Sequence, residues 1–237
     1  MRTGLIYALN MEVPSSLSAG RKPEIDGAYE HLSALFISMK RKRIDDFAYR
    51  QLTTSQVIDN DIGVIVSGAG QENAKIAINK LCQEYKPDCI ISSGFCGSTK
   101  DNVHPGDVVM ATGVYHENQH LSMDTARLTG RKSLAELSLN YHLGNVQTFD
   151  AVVYSRENVR EDITAVDMES YALVSEAANY GVPVMIARIV SDVVPETKPT
   201  LFPKVQARWR IFFRNFKLAQ KSLNQLADFL VDNPKDI

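Results

Sequence analysis

The chain has 237 residues, 44% of them hydrophobic and 23% charged, with 26 basic against 28 acidic side chains and a formal net charge of −2. That length is ample for a buried core, and the balanced charge supplies no field for nucleic acid or an anionic membrane surface. No apolar run approaches the roughly 18 residues of a membrane span. The three cysteines, Cys82, Cys89 and Cys96, form no Cys-x-x-Cys and have no histidine at ligand spacing, so reduced thiols are expected and a metal site is not. The opening MRTGLIYALNMEV is too short in its apolar part for a secretory signal, and a cytoplasmic location is expected.

In chain order, residues 3–9 read as a buried strand, and residues 14–30, rich in Ser, Pro, Gly and charge, as a loop or poor helix. Residues 32–39 and 47–52 have strand composition. The basic run Lys40 to Arg43 between them fits a solvated strand end better than an anion site. Residues 62–66 form a strand ending at Ser67-Gly68-Ala69-Gly70. Residues 71–85 then carry Ala74, Ile76, Ala77, Leu81 and Cys82 at helical spacing, and Pro87 stops them. Strands are expected at 89–92, before Gly94-Phe95-Cys96-Gly97, and at 108–112, after the turn Pro105-Gly106-Asp107. The polar middle contains a plausible helix at 133–141 and strand pieces at 146–148 and 151–154. A helix at 167–180 stops at Gly181, a strand follows at 183–190, and 203–231 reads as a long amphipathic helix. No repeat or linker interrupts the pattern, so one α/β domain over residues 1–237 is expected.

The strands at 62–66, 89–92 and 184–190 are apolar on consecutive residues, which implies helices on both faces. In such sheets ligands sit beyond the carboxyl ends of the strands. Attention therefore falls on Ser67 to Gly70, Ser93 to Gly97, and Ser191-Asp192. Asp192 there is either a turn cap or a partly desolvated acid able to protonate a leaving group. Glu169, near the start of a helix, either complements the helix dipole or grips vicinal hydroxyls of a sugar. Met168 beside it either fills the core or packs on the sugar face. Glu12, alone, is a surface acid. Arg188 interrupts the apolar run Val184 to Val190, so it either reaches solvent at a strand end or needs an acid partner or an anionic ligand. The Gly68-Ala69-Gly70 turn matches neither a Walker loop nor a dinucleotide fingerprint. His116 and His120 read as ordinary loop histidines.

Taken in order, the stretches GLIYALNMEV, VSGAGQENAKIAI, KPDCIISSGFCGSTKDNVHPGDVVMATGVYHE and AVDMESYALVSEAANYGVPVMIARIVSD resemble the nucleoside phosphorylase/nucleosidase family. The nearest branch includes the 5′-methylthioadenosine/S-adenosylhomocysteine nucleosidases. The resemblance implies a three-layer α/β/α sandwich around a mixed, partly barrel-like sheet. It implies cleavage of the N-glycosidic bond of a purine nucleoside, adenine being the expected base. On the family pattern Asp192 protonates the purine at N7, Ser191 helps orient it, and Met168 and Glu169 bind the ribose. Glu12 activates the attacking water, Arg188 helps hold that acid and the water, and Ser93, Gly94 and Gly97 line the floor near the sugar. Such a site stabilises a cationic sugar while drawing charge off the base. No metal or organic cofactor is implied; a homo-oligomer is.

Several positions depart from the family pattern. Phe95 and Cys96 replace small residues near the sugar, Val152 falls where an aromatic stacks on the base, and Leu9 stands at a thioether-pocket methionine. The aromatic tail around Trp209, Phe212 and Phe213 resembles phosphorylase-like proteins associated with hopanoid synthesis, which take a bulky 5′ group. The phosphate-binding arginines of hexameric phosphorylases have no clear match. Water is therefore the expected nucleophile. Phosphorolysis is the first alternative, and a non-catalytic nucleoside-binding protein the second.

Overall fold

The computed structural model describes residues 2–8, 49–52, 62–124, 138–197, 215–227 and 229. Leu9, Glu12, the 14–30 segment, the expected strand at 32–39, Lys40 to Arg43 and the aromatic run at 209–213 lie outside the described residues. The described strands are β1 (Thr3–Tyr7), β2 (Tyr49–Leu52), β3 (Ile62–Val66), β4 (Cys89–Ser98), β5 (Val108–His116), β6 (Gln119–Ser122), β7 (Tyr141–Thr148), β8 (Ile163–Asp167) and β9 (Val184–Val193).

Five of these strands close a ring. β4 pairs in parallel with β9, β9 antiparallel with β5, β5 parallel with β7, β7 parallel with β8, and β8 antiparallel with β4. The remaining strands extend this barrel as a sheet. β1 lies parallel on β4, β3 parallel on β1, β2 antiparallel on β3, and β6 forms a hairpin with β5. The parallel edges bring the carboxyl ends of β1, β3, β4 and β9 to one side, where a ligand site is expected.

Side-chain alternation along each strand divides the core. On one side, Ile6, Ile90, Val109, Ile186 and Val190 pack under two helices, α1 (Gln71–Lys80) and α2 (Ser170–Ala178). On the other, Leu5, Tyr7, Ile91, Met110 and Ile189 pack under a helix, α3, at 215–227, through Ala219, Leu223 and Leu226. Consecutive apolar residues are needed because both faces are covered, as the sequence implied. In α1 the residues Ala74, Ala77 and Ile78, followed by Leu81, recur at the spacing that makes one buried stripe. The chain continues as a wide helical turn, Leu81–Tyr85, and leaves through Lys86 at φ 52 just before Pro87. None of the described helices is long and apolar enough to cross a membrane.

Several expectations need correction. Tyr141 opens strand β7 and does not end a helix, while residues 151–154 run as irregular chain into a short turn at Arg156–Asn158. The hairpin partner β6 and the short strand β8 escaped the sequence reading; the four residues of β6 are polar, and β8 is only five residues long. Strand β4 runs on to Ser98 and β9 to Val193, so Gly94, Gly97, Ser191 and Asp192 lie inside strands and not after them. Helix α2 begins at Ser170, with Glu169 at its N-cap.

Candidate active site

At the carboxyl side of the sheet a small cleft opens between strand ends and α2. β1 supplies Ile6 and the following Ala8, the turn after β3 supplies Ser67, and β4 supplies Ser92 to Phe95. Glu169 and Leu173 of α2 close one wall, and Arg188 of β9 contributes the cation.

Each ionised group is held by its own partners. The Glu169 carboxylate accepts the Gly70 backbone N–H at 2.7 Å through Oε1. Gly70 has φ 95, a left-handed conformation that glycine adopts without penalty, and it stands at the N-terminus of α1, whose dipole favours the negative charge. Arg188 is 3% exposed and its Nε donates to Asp167 Oδ2 at 2.8 Å, the acid side chain being wholly enclosed. Its Nη1 donates to the Ser92 carbonyl at 3.2 Å and to Ser92 Oγ at 3.0 Å. The acid partner that a buried arginine demands is therefore, among the described residues, Asp167. Asp167 also accepts from the N–H and hydroxyl of Ser170, capping α2, and from Thr148 Oγ1 at 2.8 Å.

Asp192 stands four residues beyond Arg188 on β9, about 13 Å along the strand, and does not line this cleft. Between them the β4–β9 register slips: Cys96 faces Val190 but Gly97 faces Asp192, leaving Ser191 as the extra residue of a bulge. Ser191 Oγ meets two oxygens at 2.9 Å, the Cys96 carbonyl and Asp192 Oδ1. A hydroxyl has one proton to donate. That proton serves either the carbonyl or the Asp192 carboxylate, and the serine is held between the two.

The remaining expected residues are spread around this edge. Met168 is half-buried between the two acids, and Val152 is half-buried on the chain after β7. Ser93, Gly94 and the glycine turn at 68–70 border the cleft region, while Gly97 packs against Val194 and Val166. Phe95 meets the cleft, but it belongs to the opposite apolar cluster and its ring lies 5.2 Å from that of Phe216 in α3. By alternation with Ser92 its bulk points away from Arg188. Cys96 is buried on the α1 and α2 side, and burial pushes its thiol well above the ordinary range. His116 Nε2 accepts from Gln71 Nε2 at 2.8 Å, and the same amide donates to Asp150 at 2.6 Å, tying the chain after β7 to the start of α1. His120 stacks on Tyr115.

The sequence reading placed Ser67 at the sheet edge but gave no role to Asp167, Ser92 or Thr148. Asp167 carried a signal: it lies three residues before Ser170, the spacing of a carboxylate capping a helix. The hydroxyls carried none.

Residues 27–218 match the family model for the phosphorylase superfamily. The chain belongs to that superfamily. Among curated relatives, it is 23% identical over 192 residues to a 5′-methylthioadenosine/S-adenosylhomocysteine nucleosidase of Maridesulfovibrio salexigens, covering 70% of this chain and 83% of that protein. It is 25% identical over 201 residues to the protein of the same name from an Exiguobacterium species, covering 74% and 86%. A futalosine hydrolase mutant of Helicobacter pylori superposes with a TM-score of 0.74 at 13% identity over 100% of both chains. A Neisseria meningitidis nucleosidase in complex with methylthio-immucillin-A superposes with a TM-score of 0.68 at 18% identity, over 98% and 99%. At these identities the structural matches establish the shared fold: a mixed sheet closed into a five-strand barrel, with extra strands and helices on its faces.

Proposed function

We propose that this member of the superfamily hydrolyses the N-glycosidic bond of a purine nucleoside, adenine being the expected base. The observation that carries the reading is the cleft itself: a buried carboxylate, Glu169, and a buried guanidinium, Arg188, face one cavity, each fixed by other protein groups before any ligand arrives. Glu169 grips the ribose hydroxyls and holds them more tightly as the sugar becomes cationic. Asp192 gives its proton to the base at N7, and the C1′–N bond breaks with its electron pair leaving on the base. Ser191, anchored on the Cys96 carbonyl, keeps that acid oriented. Glu12 takes a proton from the water that bonds to C1′, Arg188 helps hold that water, and Met168 and Val152 pack on sugar and base. The relatives named for methylthioadenosine and S-adenosylhomocysteine point to adenine nucleosides altered at the 5′ position.

Water is favoured over phosphate for an electrostatic reason. Among the described residues lining the cleft, Arg188 is the one cation, and Asp167 already neutralises it. A phosphate dianion would have to compete with that carboxylate.

The test is release of free adenine from methylthioadenosine, S-adenosylhomocysteine, 5′-deoxyadenosine and adenosine, with inosine as control, each with and without phosphate. Release in phosphate-free buffer is expected. Release only with phosphate, accompanied by a ribose 1-phosphate, would make the protein a phosphorylase. Silence in both buffers with a nucleoside-dependent rise in Tm would make it a binding protein. Glu12→Gln is expected to lower hydrolysis by about 100-fold or more; an unchanged rate removes Glu12 from the mechanism.

A further inference from the structure

Asp167 is outside the cleft, yet it bonds to Arg188, which lines it, and to Ser170, the residue after Glu169. Among the described residues four donors from three elements converge on its carboxylate. They are the Thr148 hydroxyl at the end of β7, the N–H and hydroxyl of Ser170 in the first turn of α2, and Arg188 Nε on β9. A carboxylate offers about four lone-pair sites, so Asp167 has no remaining capacity to bind a hydroxyl or to take a proton from water. Thr148 extends the connection, because its Oγ1 also accepts the Tyr171 N–H at 2.9 Å. One enclosed carboxylate thus fixes the guanidinium that faces the cleft and the helix end on which Glu169 stands.

We infer that Asp167 is a positioning residue that sets the spacing between Arg188 and Glu169. It neither binds substrate nor transfers a proton. Its effect on rate follows from rigidity: groups misplaced by about 1 Å lose about 100-fold in rate. In kinetic terms the inference rests on the hydrolase reading above. A cap or ion pair of purely structural value would instead change stability and leave turnover per folded molecule unaltered.

The experiment is a double-variant cycle on the full chain, with adenine release measured on the folded fraction. Asp167→Asn is expected to lower kcat about 100-fold with KM within about threefold. In an Arg188→Met background the same change is expected to cost less than about threefold, since contacting residues acting as one unit are not additive. A kcat for Asp167→Asn within about threefold of wild type, or an equal cost in both backgrounds, overturns the inference. Asp167→Asn strands a buried charge, so Thr148→Val, which strands none, is the second variant. It is expected to lower kcat about tenfold and to speed hydrogen exchange at Arg188 Nε–H. Unchanged kcat and unchanged exchange overturn the inference. Failure of the wild-type protein to release any base defeats the hydrolase reading instead. The Nε–H exchange rate in Thr148→Val then decides alone, faster exchange supporting the positioning role and an unchanged rate overturning it.

Discussion

The two faces of the sheet are made by the same strands and do different work. Ala187 and Ile189 turn to α3 and join its apolar cluster, while Arg188 between them turns to the side of α1 and α2 and meets Asp167 and Ser92. Strand β4 follows it in part, with Ile91 and Phe95 on one side and Ser92 on the other, although Ser93 adds a buried hydroxyl to the Ile91 side. One face closes on a core that excludes water. The other accepts the cost of buried charge, which persists only where partners satisfy it. A buried charge inside an otherwise apolar strand is thus a pointer to the working face.

The sharpest way to break this contrast is at the proposed general acid. Asp192→Asn is expected to lower turnover by about 1,000-fold while a nucleoside still raises the Tm as in wild type. Full turnover would remove Asp192 from the chemistry and leave Ser191 as nothing more than the filler of a bulge. Next comes the ion pair. Arg188→Met leaves the Asp167 carboxylate buried without its cation and is expected to cost about 3–5 kcal/mol in chemical denaturation. The double change Arg188→Met with Asp167→Asn is expected to recover most of that loss in stability and none of the loss in turnover. On the apolar face the reverse holds. Leu223 is buried against the second cluster, and Leu223→Ala is expected to cost about 3 kcal/mol while the folded fraction turns over at the wild-type rate. If Leu223→Ala lowered kcat as much as it lowered stability, the two faces would not be separable.

Much of this contrast was legible in the sequence. The unbroken apolar runs of β3, β4 and β9 called for two covered faces, and Arg188 inside one of them left a choice between solvent and a partner or anionic ligand. Glycines at 70 and 181 marked the start of α1 and the end of α2, both at positive φ. The cap on α2 could be read from Asp167 and Ser170, yet the link from Asp167 to Arg188 could not. It joins residues on β8 and β9 that the barrel brings together, and spacing along the chain does not encode which strands are neighbours. The bulge at Ser191 was hidden for the same reason, since a register slip exists only between two paired strands. Phe95 misled in a different way. Its position suggested bulk near the sugar; Phe95 does line the cleft, but alternation turns most of its ring to Phe216, because β4 continues as a strand through the glycines meant to end it.

The smallest expected effect concerns the thiols, and it separates the two faces once more. Cys82 and Cys96 lie on the α1 and α2 side, and burial raises both, Cys82 from its ordinary 9.0 to about 11. Cys96 is raised even though the Arg188 guanidinium pulls the other way, so the enclosing core outweighs the cation. Neither thiol should react with iodoacetamide at pH 8 in the folded protein, because thiolate is the reactive form. Between pH 9 and about 11 the unfolded chain has released the Cys82 proton and the folded chain retains it, so the folded state binds more protons there. Stability is therefore expected to fall as pH rises through that window, and Cys82→Ala should flatten the fall when denaturation midpoints are measured from pH 8 to 11. A slope identical in wild type and variant would mean that the thiol is reached by water. The packing of α1 against the sheet would then be looser than that of α3.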